Sequence, residues 1–279
     1  MRIAILADIH GNLVALEAAL ADTKRIGVDQ VIVAGDIVVG SPDSLACWER
    51  VKTLGCPVLR GNHERYVFDL HTDRAPPIWH SRQFGPVQYA AQTLGPQRWR
   101  EMAALPMQHV FPDAPDVLFV HGSSRSDNDL IFPYTLDAEI APMFSPNAPR
   151  WIIRAHNHFC SVRLWGERRI VTVGSVGLPL DGYPSAQYTI LEKRDGDWRV
   201  EHRAVNYDIA AAALRFKESG CLQAAGPMAR LYQREVATAA FQIIPFLRFF
   251  RKLGVVEPGV TLEDAVQRFL SRNYDPRLD

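Results

Sequence analysis

Five short groups of cation-binding residues occur in order along the chain: Asp8-Ile9-His10, Gly35-Asp36, Gly61-Asn62-His63-Glu64, His121-Gly122 and His156-Asn157-His158. Carboxylate, imidazole and amide carbonyl together suit divalent ions such as Mn²⁺, Fe²⁺, Zn²⁺ or Ni²⁺, whereas an all-oxygen set would suit Mg²⁺ or Ca²⁺. Cysteine takes no part, which argues against a purely structural zinc site. Residues two apart on a strand point the same way, so Asp8 with His10, and His156 with His158, are each expected to aim two ligands at one cation.

The set holds two carboxylates (Asp8, Asp36), four imidazoles (His10, His121, His156, His158) and one amide (Asn62). Around two dications it leaves about two positive charges before a bridging hydroxide takes one, so a phosphate is welcome there. Paired metals about 3.5–4 Å apart acidify a shared water and clamp the oxygens of an in-line displacement at phosphorus. The leaving alkoxide still needs a proton. His63 directly follows a ligand position, and adjacent side chains diverge, so it is expected to deliver that proton rather than to ligate. His71, His80, His109 and His202 stand alone and read as ordinary histidines.

Apolar runs deliver these groups. Residues 2 to 8 form one run that ends at Asp8, and Asn12 caps a helix whose apolar face is Leu13, Leu16, Ala19 and Leu20. Gln30 to Ala34 is a second buried strand, followed by a helical stretch from Ser44 to Leu54, and Cys56 to Leu59 reads as a third strand. Polar residues at the carboxyl ends of successive strands are where open α/β sheets build sites. Pro86, Pro96 and Pro106 break the region from Pro76 to Met107 into two or more short helices, and Pro133 to Pro149 reads as loop. Val117 to Val120 leads to His121, and Trp151 to Ile153 leads to His156. The period then becomes two over Ser161–Trp165, Arg169–Val173, Gln187–Lys193 and Trp198–Val205, with Asp195-Gly196 as a hairpin turn between the last two. From Tyr207 the pattern is helical, and Thr261 with Asp264 resembles a capping box. Residues 1–208 are thus expected to form a core and 209–279 a helical C-terminal appendage.

The chain has 279 residues, is 47% hydrophobic and balances 31 basic against 31 acidic residues. There is no overall basic field to draw in nucleic acid, although a local basic groove stays compatible with the balance. Cys47, Cys56, Cys160 and Cys221 show no CxxC pair and suit a reducing cytoplasm. The first residues lack a signal-peptide pattern, and Ala237 to Phe250 is too short and too interrupted to span a bilayer. A cytoplasmic location is the expectation.

The five groups together resemble the calcineurin-like metallophosphoesterase superfamily, whose pattern is Asp-x-His, Gly-Asp, Gly-Asn-His-Asp/Glu, His and Gly-His-x-His. Residues 1 to about 205 carry the likeness. Asp8 to Leu13, Arg60 to Glu64, His121-Gly122-Ser123 and Gly174-Ser175-Val176-Gly177 with Asp181-Gly182 look like the bacterial branch related to diadenosine tetraphosphatases and Ser/Thr protein phosphatases. The resemblance implies a mixed α/β fold, a four-layer α/β/β/α double β-sandwich, here with a helical C-terminal extension. It implies that Asp8, His10, Asp36 and His158 hold one metal and that Asp36, Asn62, His121 and His156 hold the other, with Asp36 bridging. It matches His63 to the histidine that protonates the leaving group. The activity implied is hydrolysis of a small phosphomonoester or phosphodiester by direct attack of the bridging hydroxide.

Some positions depart from the pattern. The protein phosphatases continue Gly-Asp with Tyr-Val-Asp-Arg-Gly, but here Gly35-Asp36 continues Ile37-Val38-Val39-Gly40, with no aspartate to orient His63 and no arginine for phosphate. A protein phosphatase or a dinucleoside polyphosphate hydrolase is the alternative activity, and a non-catalytic scaffold of the same fold is a third. Arg125 and Arg154 are candidate phosphate contacts. In the appendage, Phe241, Phe246, Phe249 and Phe250 with Arg248, Arg251 and Lys252 are expected to pack on the core, with a lid or a homodimer contact as functional options.

Overall fold

The computed structural model describes residues 1–271. Two sheets face each other. The first has the order β2-β1-β8-β9, with β1 (Arg2–Leu6) parallel to β2 (Gln30–Val33) and antiparallel to β8 (Ala186–Arg194), which pairs with β9 (Asp197–Val205). The second has the order β3-β4-β5-β7-β6: β3 (Gln108–His109), β4 (Val117–Val120), β5 (Trp151–Arg154), β7 (Arg168–Thr172) and β6 (Ser161–Trp165). β4, β5 and β7 run parallel, so their carboxyl ends emerge on one edge.

Strand alternation divides the core. Ile3, Ile5 and Ile32 from the first sheet interdigitate with Val117, Phe119, Trp151, Ile153 and Val171 from the second. The opposite face of the first sheet, with Ala4, Leu6, Val33, Tyr188 and Ile190, is covered by helices α1 (Leu13–Ile26), α2 (Ser44–Lys52), α3 (Asn62–Asp69) and α4 (Gly85–Ala103). The outer face of the second sheet, with Leu118, Val120, Ile152 and Ile170, is covered by Ile131, Ile140, Met143 and Phe144. The only regular helix in that stretch is the single turn α5 (Asp137–Ile140), so the fourth layer is thin.

Where sequence and structure differ, the cause is tertiary. Cys56 to Leu59 forms no strand among the described residues but one bridge, Val33 to Val58. Pro57 has no N–H to extend the ladder, and the Arg60 amide turns away to Pro106. The region from Pro76 to Met107 is broken as expected: two short 3₁₀ turns, Pro77–His80 and Arg82–Phe84, precede α4, and α4 is itself two helical segments that meet at Gly95, just before Pro96, where the backbone leaves the helical conformation at φ 73° and ψ 166°. The β8–β9 turn is as read, with Asp195 and Gly196 both left-handed, as a type I′ hairpin requires.

The appendage comprises α6 (Ile209–Glu218), α7 (Cys221–Ala224), α8 (Met228–Thr238), α9 (Ile243–Val256) and α10 (Leu262–Ser271), and its last eight positions lie outside the described residues. Phe216, Cys221, Ala225 and Val236 share an apolar cluster with Leu178, Val14 and Tyr89 of the core. Arg215 adds a forked ion pair to Asp43, at 2.8 and 3.1 Å. Met228, Leu231, Phe246, Val266 and Phe269 close a separate cluster within the appendage. Thr261 accepts the Asp264 amide at the start of α10. Among the described residues, no helix is long and apolar enough to cross a membrane.

Candidate metal centre

The chain reaches the site by continuing the β1–β2 pairing beyond both strands. Asp8 donates its amide to Gly35, His10 to Asp36 and Gly11 to Ile37, each at 2.9–3.1 Å. In this paired loop the backbone leaves the strand conformation: Asp8 (φ 52°), His10 (φ 50°) and Asp36 (φ 53°) are left-handed, as are His156 (φ 70°) and His158 (φ 61°) after β5. The two i, i+2 pairs therefore converge through alternate left-handed residues, not through a strand pleat. Aspartate and histidine adopt this region more readily than most residues, but it still costs about 1 kcal/mol or more each.

The side chains meet in two groups. Donor atoms of Asp8, His10, Asp36 and His158 lie within 4.8 Å of one another, as do those of Asp36, His121 and His156. Asp36 belongs to both. Its Oδ2 lies 3.7 Å from His10 Nε2 and 3.4 Å from His121 Nε2. Asn62, the first residue of α3, brings Oδ1 to 3.1 Å from His121 Nε2. Gly61 permits this closeness, because a Cβ there would lie 2.1 Å from Asp36 Oδ1.

Three imidazoles are oriented from behind. The Nδ1 atoms of His10, His121 and His158 face the carbonyls of Val39, Ala34 and Leu178 at 2.9, 2.7 and 2.5 Å. Nδ1–H donates in each case, which turns Nε2 inward as the ligand atom. His10 Nε2 and His158 Nε2 are 3.2 Å apart, and Asp8 Oδ1 and Asp36 Oδ2 are buried without a hydrogen-bond partner among the described residues. Lone pairs and orphan carboxylate oxygens pointing at one another are unfavourable unless a cation lies between them. The donor set fits divalent metal ions.

Electrostatics agree. Burial pushes the Asp36 carboxyl up, but His121 and His63 beside it more than offset this and hold it well below the carboxylate range. Burial lowers His10 well below the usual imidazole value, with His63 and His158 adding to the effect, and takes His156 down to about 2. His121 differs: burial disfavours its charge, but Asp36 outweighs this and raises the imidazole to about 9, so without a cation its Nε2 holds a proton directed at Asp36, which a metal ion would displace.

His63, the second residue of α3, belongs to neither donor group. Its amide donates to Asp36 Oδ1 at 2.8 Å, its ring packs edge-on against His10, and its Nε2 lies 4.0 Å from Asp36 Oδ2. Its Nδ1 is buried with no partner among the described residues, consistent with Val39 standing where an orienting carboxylate would be.

The two candidate arginines go elsewhere. Arg154 is fully buried, with its guanidinium engaged inside the protein. It donates to the carbonyls of Gly122 and Asp129 and to the side chains of Asn157 and Thr172, tying the loop after His121 to the loop that carries His156. Arg125 turns to Asp129 in an exposed pair at 2.8 Å, so a phosphate would have to compete with that carboxylate.

Glu64, next to His63, has a role that its sequence position does not reveal. Fully buried, it accepts the amides of Asp36, Ile37, Val38 and Gly61 at 2.7–3.3 Å and so locks the Asp36 loop onto α3. The Gly61-x-x-Glu64 spacing, a helix-start signature, is the signal that could have found it. Burial, with Asp36 nearby, raises its carboxyl to about 7.

The chain belongs to the calcineurin-like phosphoesterase family, which it matches over residues 1–160. It is similar to a metallophosphoesterase from Sphaerobacter thermophilus, 27% identical with a TM-score of 0.70, over 86% of this chain and 99% of that one. Its fold is also that of the hypothetical protein PH1004 from Pyrococcus horikoshii, 22% identical with a TM-score of 0.66, over 78% of this chain and 93% of that one. The uncharacterized protein MJ0912 of Methanocaldococcus jannaschii is 25% identical over 237 residues, 75% of this chain and 89% of its own length.

Proposed function

We propose that this chain is a two-metal phosphoesterase that hydrolyses a small phosphomonoester or phosphodiester, with His63 protonating the leaving group. The observation that carries the reading is the pair of donor groups sharing Asp36, with His63 beside them but outside both. Asp8, His10, Asp36 and His158 would hold one cation and Asp36, Asn62, His121 and His156 the other. The imidazole-rich set favours Mn²⁺, Fe²⁺, Zn²⁺ or Ni²⁺. When bound, such ions supply an activated water and neutralise phosphate charge.

The residues of the chain do the rest. Carbonyls behind His10, His121 and His158 keep their Nε2 atoms aimed inward, and Glu64 holds Asp36 in place. His63 carries its imidazole to the rim, where 15% of the side chain is exposed. Burial lowers its pKa, Asp36 raises it, and His158 and His121 lower it again, for a net depression. A phosphate anion arriving beside it favours the protonated ring and so loads the acid when substrate is present.

Phosphomonoesters, phosphodiesters, dinucleoside polyphosphates and phosphopeptides, each assayed with each of the four metals, test the reading. Turnover of a small mono- or diester is expected. Preference for phosphopeptides would favour the protein phosphatase alternative, and no turnover with any metal would favour a scaffold.

A further inference from the structure

The appendage reaches the metal cluster at two places. Ala239, in the left-handed turn after α8, accepts the Gly182 amide at 2.7 Å, and Phe241 packs on Phe159, the neighbour of His158, with ring centroids 5.6 Å apart. Two turns earlier, Tyr232 of α8 lays its ring over Gly40. A Cβ built at Gly40 would lie 3.1 Å from His10 Cβ and 3.5 Å from the Tyr232 ring. Gly40 has φ 113°, a conformation that side chains rarely adopt, and its bare α-carbon leaves the space that Tyr232 enters beside His10.

The ring of Tyr232 is fixed in the apolar cluster with Phe216, Ala229 and Val236. The Tyr232 side chain is half-buried, so its phenol is not sealed inside the cluster. Burial first, then Glu235, Tyr66 and Asp36, raise the pKa of the phenol, so it stays a donor. A phenol whose ring is held beside Gly40 and His10 is suited to an anionic acceptor that arrives at the cluster.

We propose that Tyr232 of the C-terminal appendage donates a hydrogen bond to a non-bridging oxygen of the phosphoryl group bound at the cluster, which makes the appendage part of the substrate site. The contact rests on the phosphoesterase reading of that site. Tyr66 of α3 lies on the same side, its ring 5.3 Å from that of His63.

The test uses the full chain loaded with Mn²⁺ and the variant Tyr232→Phe, which keeps the ring. Metal content and melting temperature are expected to match the wild type. Inorganic phosphate, titrated calorimetrically, should bind about tenfold more weakly to the variant, and kcat/KM for bis(p-nitrophenyl) phosphate should fall by a similar factor, the loss expected for one hydrogen bond to a charged group. Wild-type values for both in the variant overturn the contact while leaving the phosphoesterase reading intact. Phosphate binding that depends on Tyr232 in a chain that hydrolyses no ester upholds the contact and sinks that reading instead.

Discussion

His10 and His158 face each other with their Nε2 atoms 3.2 Å apart, each ring fixed from behind by a backbone carbonyl. Two lone pairs held this close repel, and relieving that repulsion is free energy that a bound cation adds to folding. At a metal concentration a hundred times Kd the gain is about 2.7 kcal/mol, which for a chain of this size raises Tm by roughly 5–10 °C. Calorimetry with Mn²⁺, and with chelator, measures it. A Tm that Mn²⁺ raises in His10→Ala as much as in the wild type would remove His10 from the site.

Glu64→Gln addresses the lock on the Asp36 loop. The amide has one acceptor oxygen where the carboxylate has two, and its NH2 would be pushed against amide donors that now have no acceptor. Leaving buried donors unmet costs about 1–3 kcal/mol each. Urea unfolding should show a loss of about 3 kcal/mol, together with weaker metal binding. Unfolding at the wild-type midpoint would show that Glu64 holds nothing.

For Arg154→Met the two roles of the arginine separate cleanly. As the tie between the His121 and His156 loops, it should cost about 3–5 kcal/mol when removed, because buried acceptors are left bare. As a phosphate contact, its loss would raise KM with stability unchanged. Denaturant unfolding and steady-state kinetics on the same preparation decide between them.

Glu235 gives a pH dependence remote from the metals. It is buried in α8 and accepts the amides of Gln242 and Ile243, and burial raises its carboxyl from 4.5 to about 7. A group whose folded pKa exceeds its unfolded value contributes its stability fully below the unfolded pKa and loses it as pH rises through the folded one. Relative to Glu235→Gln, the wild type should therefore lose about 3 kcal/mol between pH 4 and pH 8. Parallel stability curves for the two proteins across that range would contradict the assignment.

Much of this fold can be read from side-chain pattern. β1, the β8–β9 hairpin and α1 follow from period, from Asp195-Gly196 and from Asn12, which caps α1 by accepting the Ala15 amide. The bridge at Val58 cannot be read that way, because it depends on where the chain turns at Pro106. The ligand residues are visible because their chemistry lies in their side chains. Their left-handed backbone is not, since φ at an aspartate or histidine is set by the loop pairing around it. Arg154, two residues before His156, reads in sequence as a candidate anion contact, and only the fold of the loop through Asp129 over it makes it internal. Tyr232 is far from every motif in sequence, and its place beside His10 comes from how α8 docks.

The division of labour between ligands and proton donor is tested most directly by His63→Asn, with metal content and ester turnover measured on the same samples. A general acid contributes about 10²–10⁴-fold, so turnover should fall by at least a hundredfold while metal content stays at the wild-type value. Turnover equal to the wild type, or a loss of turnover that only follows a loss of metal, would contradict the role assigned to His63.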